Sequence, residues 1–161
     1  MAEHSVTQAI FELLEGSGRP FERLDHPPVR TSEHAAELRG TPLSIGGKSL
    51  LFKVGKKPDF RLFVLKASQR TENRPMRKFF GVQKLRFARP EELLAHTGLT
   101  PGCVPPFGRP VFDLPVYVDA ELAAGDEIAF TAADHRISVR MAMADFLEIA
   151  QPDGIFAFAR D

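Results

Sequence analysis

Two short stretches of this sequence combine residue types and spacing that suit chemistry. The first is Gly46-Gly47-Lys48-Ser49, at the head of an apolar run. Glycines let a ligand approach the backbone closely, and a lysine placed there points a charge at that ligand. The same lysine also reads as a strand-edge side chain in water. The second is TPGCVPPFGRP, residues 100–110, with four prolines and two glycines in eleven positions. That density excludes a helix or a central strand and demands an ordered loop with a largely fixed backbone. Such a loop can present bare N–H groups to an anion or an oxyanion. It equally suits a tight structural crossover. Cys103 lies inside it, either as a nucleophile without an evident base or as a small apolar filler.

Other chemistries find little support. The five histidines, at 4, 26, 34, 96 and 135, show no metal-ligand spacing. One cysteine leaves no intramolecular disulfide and no Cys-rich zinc site. No phosphate-loop, dinucleotide, zinc-protease, nucleophile-elbow or EF-hand pattern occurs. No metal and no cofactor is expected. No apolar run reaches the roughly 20 residues of a membrane span. The N-terminus carries Glu3, Glu12 and Glu15 rather than the basic-then-apolar layout of a signal peptide. These features indicate a cytoplasmic protein in a reducing compartment, without a membrane partner.

The 21 basic and 21 acidic residues cancel, but they are not mixed evenly. Residues 1–47 carry net −3 and residues 90–161 net −8. Residues 48–89 carry thirteen basic groups against Asp59 and Glu72, net +11. That middle third suits the electrostatic footprint of a nucleic acid. The alternative is a set of cations spread over several faces and paired with the acidic thirds.

The elements that must position these residues follow from pattern and punctuation. Apolar residues at 6, 9, 10, 13 and 14 predict an amphipathic helix stopped by Gly16 and Gly18. Phe21–Leu24 predicts a short strand. Thr31 or Ser32 caps a helix that ends before Gly40. Thr41-Pro42 opens an extended stretch. Ser49–Val54 and Phe60–Ala67 form a hairpin across a basic turn. Helices follow over 72–80 and from Pro90, separated by a strand at 84–88. Strands at 114–119, 127–131 and 136–141, a helix at 142–150 and a last strand at 155–159 complete the chain. The class is α+β: one domain over residues 1–161, with a mixed, mostly antiparallel sheet and flanking helices.

Taken together, the segments resemble the YbaK-like aminoacyl-tRNA editing domains, relatives of the insertion domain of bacterial prolyl-tRNA synthetases. The resemblance spans residues 26–158. It opens on HPPVRTSEHAAELRG, an HxxxxTxxxAAxxxG pattern. GGKSLLFKV and FRLFVLKA follow, then GVQKLRFARPEELLAHTGLTPGCVPPFG and a strand-rich end, VYVDAELAAGDEIAFTAADHRISVRMAMADFLEIA. The block from Lys84 to Gly108 is the specific part.

The resemblance implies hydrolysis of the ester between a wrong amino acid and the terminal adenosine of a tRNA. It implies neither metal nor covalent enzyme intermediate. An aminoacyl ester is already activated, so a positioned water and a stabilised oxyanion suffice. Lys48 then contacts the terminal nucleotide, and the amides of Gly102, Cys103 and Val104 face the ester carbonyl. Ser49, Pro105, Pro106, Phe107, Gly108, Thr131 and His135 are the expected substrate-binding residues. Lys53, Lys56, Lys57 and Arg74 are expected to hold the acceptor end of the tRNA, with a synthetase as a further possible partner. Two positions depart from the alanyl-tRNA deacylases of the superfamily. Ser49 stands where they have Asn, and Thr131 stands near their usual histidine, with His135 farther along. The amino acid therefore stays open among Ala, Ser, Thr, Cys and non-protein residues. A second reading is a binding module without hydrolysis on the same fold, and a third is a hydrolase using the Cys103 thiol.

Overall fold

The computed structural model describes residues 4–161. The chain opens with helix α1 (Ser5–Ser17), which buries Thr7, Ile10, Phe11 and Leu14 along one stripe. Gly16 stays inside this helix, and Gly18 in the left-handed region ends it. Strand β1 (Phe21–Asp25) leads to α2 (Ser32–Arg39), whose N-cap Thr31 accepts from the His34 amide. The expected extended stretch after Pro42 is instead a 3₁₀ turn over Leu43–Ile45. Strands β2 (Gly47–Val54) and β3 (Phe60–Lys66) pair antiparallel across the Gly55–Asp59 turn, as the alternation predicts.

The two-residue β4 (Arg70–Thr71) precedes α3 (Asn73–Phe80), β5 (Leu85–Phe87) and α4 (Pro90–Thr97). After the Gly/Pro loop come β6 (Val116–Asp119), a one-turn α5 (Ala120–Ala123), β7 (Glu127–Asp134), β8 (Ile137–Ala142) and α6 (Met143–Ala150). The last expected strand is split into β9 (Gly154–Phe156) and β10 (Ala159–Arg160). The break lets the amides of Phe158 and Ala159 both donate to the buried Asp119 carboxylate, at 2.8 and 2.9 Å.

The α+β class stands, with antiparallel pairing dominant, but the strands divide between sheets rather than forming one. One sheet has the order β1-β8-β7 and is antiparallel throughout. The other has the order β5-β2-β3-β6-β9, with β6 parallel to both neighbours. β4 and β10 form a separate ladder. A parallel bridge from Gly46 to Ala129 joins the two large sheets just ahead of β2.

β3 shows how the core is shared. Leu62 and Val64 face the larger cluster, which is built with β7, β8, α1 and α6. Phe63 and Leu65 face a second, aromatic cluster with Phe52, Met76, Tyr117 and Phe158. This is the two-residue period of a strand buried on both faces.

A pocket between the sheets

β5 pairs with β2 only over Phe52–Val54, so the first half of β2 is a sheet edge. That edge, α2, the start of the Gly/Pro loop and the end of β7 enclose a cavity of about 260 Å³. Its wall includes Lys48, Ser49, Gly102, Val104, Thr131 and His135, six residues expected from the sequence. It lies below the roughly 300–1,000 Å³ of drug-sized pockets and suits a small group.

Several local devices bring these residues together. Gly102 has φ +94, and a Cβ there would come within 3.1 Å of His135 Cε1. Only glycine combines that backbone with that approach. The amides of Gly102 and Val104 find no acceptor among the described residues, while that of Cys103 turns back toward Thr100 O across the Pro101-Gly102 turn. Between Thr131 and Asp134 the register of β7 slips by a bulge, with Ala133 at φ 64. Bulges re-aim side chains beside functional sites. Here the bulge turns the chain so that His135 reaches the loop. Thr7 of α1 steadies it by donating to Ala132 O at 2.7 Å. The Val29 amide holds the His135 carbonyl at 3.1 Å.

The polar inventory of the pocket is unbalanced. Ser49 Oγ and His135 Nδ1 are buried without a hydrogen-bond partner among the described residues. Such groups are uncommon in folded proteins and costly. Lys48 is half-buried rather than mainly exposed, because α2 and the loop close over the edge of β2. Burial pushes its pKa below the ordinary lysine value. Among the described residues no acidic side chain lines the cavity, while Arg30 and Arg39 of the acidic N-terminal third do. Arg39 was not legible as a site residue, since a cation in the last turn of a helix reads as a complement to the helix dipole.

The remaining expected site residues lie elsewhere. Cys103 is buried with its thiol donating to Thr100 O at 3.4 Å, and it borders a different depression, behind the loop. Phe107, expected at the substrate, lines none of the described cavities. It is fully buried, with its ring 5.5 Å from those of Phe130 and Phe146 in the core. Gly108 is likewise a packing requirement, since a Cβ there would meet Leu114 O at 2.5 Å. Pro105 and Pro106 are buried and line none of the described cavities.

Lys53 and Lys56 line a separate groove with Arg77, Lys84 and Arg86, while exposed Lys57 and Arg74 stand outside it. Arg86 is already engaged by Glu92 at 2.7 Å. Five residues of strand put Lys53 roughly 17 Å from Lys48. The odd spacing also sends the two side chains to opposite faces of the sheet.

The site is therefore a small, cationic cleft with unfilled hydrogen-bonding capacity, set between two sheets. The chain belongs to the aminoacyl-tRNA editing domain family, whose family model matches residues 26–149. With that membership it is an ester hydrolase of the aminoacyl-tRNA deacylase type. It is 35% identical over 157 residues to the multifunctional Ser/Thr-tRNA deacylase ProXp-y of Escherichia coli (strain K12), covering 95% of this chain and 93% of that one. It is 32% identical over 109 residues to a proline–tRNA ligase of Thermotoga neapolitana, covering 68% of this chain but 18% of the ligase. A solved structure described as a candidate trans-editing enzyme for prolyl tRNA synthetase superposes with a TM-score of 0.82 at 26% identity, covering 99% of both chains. No helix among the described residues is long and apolar enough to cross a membrane.

Proposed function

We propose that the protein is a free-standing, cytoplasmic editing enzyme that hydrolyses the ester of tRNA mischarged with a small hydroxylated amino acid, serine or threonine. The observation that carries this is the pair of orphaned polar atoms, Ser49 Oγ and His135 Nδ1, on two residues that line one small cavity. With the Ser49 and His135 side chains turned toward the cavity, a substrate hydroxyl supplies the partner that each lacks. Sites built to hydrogen-bond a hydroxyl discriminate strongly against analogues without it. The name of the Escherichia coli relative points the same way.

In this reading the ester carbonyl lies against the Gly102–Val104 turn. A water attacks the carbonyl carbon, and the amides of Gly102, Cys103 and Val104 stabilise the developing oxyanion. The bond to the ribose oxygen then breaks, and that oxygen takes up a proton. The products are the free amino acid and an uncharged tRNA. Lys48 holds the terminal nucleotide so that the ester sits at the turn, a positioning contribution. Cys103 serves through its amide and not its thiol. Thr131 shapes the floor beside Ser49. Lys53 and Lys56, with Lys57 and Arg74 at the margins, hold phosphates of the acceptor end, and the chain tracks round the β2–β5 edge to reach them.

The test is a panel of one tRNA charged in turn with serine, threonine, alanine and cysteine, with amino-acid release followed against a no-enzyme control. Serine or threonine release well above the control is expected. Binding of every member without release of any would instead make the protein a tRNA-end binding module.

A further inference from the structure

Among the described residues Arg39 is the one pocket cation whose side chain is held by a hydrogen bond from behind. Its Nε donates to Ser138 Oγ at 2.8 Å. Ser138 Oγ is in turn 2.7 Å from His26 Nε2, and His26 Nδ1 is 2.8 Å from Pro27 O. With a neutral imidazole each link has only one sense. A carbonyl oxygen only accepts, so His26 Nδ1 carries the ring proton. A guanidinium only donates, so Ser138 Oγ accepts from Arg39. The serine proton is then left to point at His26 Nε2, which accepts in the neutral ring. Ser138 is fully buried in the middle strand of its sheet, which makes this a rigid anchor.

The other end of the guanidinium is unspent. No carboxylate pairs with Arg39 among the described residues, and its remaining N–H groups have no acceptor there. Burial alone lowers its pKa, to about 10, which leaves it charged at neutral pH. A partly desolvated cation without a partner is costly, and an anion brought by a ligand removes that cost. A guanidinium matches two oxygens of one phosphate in a planar fork, which a lysine cannot do.

We propose that Arg39, positioned by Ser138 and His26, holds the phosphate on the 5′ side of the terminal nucleoside. This rests on the deacylase reading above. A phosphodiester is the only anion that an RNA end carrying an uncharged amino-acid side chain places near its ester. Arg39 and Lys48 thereby divide the nucleotide, with the fork on the phosphate and the point charge toward the ribose. Arg39 touches substrate; Ser138 and His26 are positioning residues.

The test compares binding of adenosine 5′-monophosphate and adenosine to wild type, Arg39→Gln, Arg39→Lys and Ser138→Ala by calorimetry, each variant first shown folded by circular dichroism. Wild type should prefer the monophosphate by tenfold or more. Arg39→Gln should abolish that preference while leaving adenosine affinity unchanged. Arg39→Lys should restore part of it, and Ser138→Ala should lose a few-fold on the monophosphate alone. Equal affinity of wild type for the two probes would overturn the assignment. So would losses of equal size on both probes, the result expected of a merely structural role. Because binding needs no hydrolysis, the two ideas fail separately. Phosphate selectivity through Arg39 in a protein that releases no amino acid would sink the deacylase reading alone. Deacylation by a wild type indifferent to the phosphate would sink the Arg39 assignment alone.

Discussion

The aromatic face of β3 and the pocket between the sheets are opposite kinds of environment. On one side, Phe63 lies 5.3–5.8 Å from four other rings, those of Phe52, Phe80, Tyr117 and Phe158. Even the cation at the margin of that cluster is satisfied. Arg61 donates to both Asp59 oxygens, at 2.9 and 3.0 Å, and to the Tyr117 hydroxyl. The pocket between the sheets is left unfinished by comparison. Among the described residues Ser49 Oγ and His135 Nδ1 have no partner and Lys48 and Arg39 have no counter-ion, while Gly102 and Ala133 hold left-handed backbone. A saturated region stabilises the fold. A region that forgoes hydrogen bonds and ion pairs gives up stability, and a ligand that supplies the missing partners accounts for that sacrifice.

The contrast predicts which measurement each region controls. Phe63→Ala removes a fully buried ring and should cost about 3–5 kcal/mol by chemical denaturation. Its deacylation rate per folded molecule should stay near wild type, and a selective rate loss would break the division between the two regions.

Lys48→Ala should behave in the opposite way. Single-turnover deacylation should fall by roughly a hundredfold, the size of a lost positioning contact. Lys48→Arg should also be impaired, since a planar fork does not replace a point charge. Stability should change by no more than about 0.5 kcal/mol, and upward at neutral pH. The sign follows from the lowered pKa. Charging this ammonium costs more in the folded chain than in the unfolded one. That cost is complete below the folded pKa and lifts as pH rises through it toward the ordinary 10.5. The stability gap between variant and wild type should therefore close on the alkaline side. A large drop in melting temperature for Lys48→Ala would make the lysine structural. The smallest effect belongs to Cys103→Ala, which should retain most activity. A trapped acyl-thioester on Cys103 would contradict this.

The long elements were legible because their punctuation is local. Thr31, Gly40, Gly81 and Gly98 cap helices where their types predict, and the basic Gly55–Asp59 turn joins the expected hairpin. The missed elements are short. The 3₁₀ turn at 43–45, α5 and the β4–β10 ladder take their shape from neighbours distant in sequence. The site divided along the same line. Lys48 and Gly102 announced themselves through adjacent glycines and prolines. Arg39 and Ser138 are 99 positions apart, and nothing in either segment hints at the other. The burial of Phe107 was hidden for the same reason, since a Phe beside a Gly/Pro loop shows no sign of facing the core.

The central claim is that the unfinished polar groups of the pocket exist for a substrate hydroxyl. It is tested by single-turnover deacylation of one tRNA charged with either serine or alanine, by wild type and Ser49→Ala side by side. Wild type should release serine at least about tenfold faster than alanine, since a site built for a hydroxyl penalises its absence. Ser49→Ala should be at least as stable as wild type, having lost a buried unpaired hydroxyl, and its preference for serine should shrink toward unity. A folded Ser49→Ala protein that keeps the full preference, or a wild type that releases alanine as fast as serine, would contradict the account.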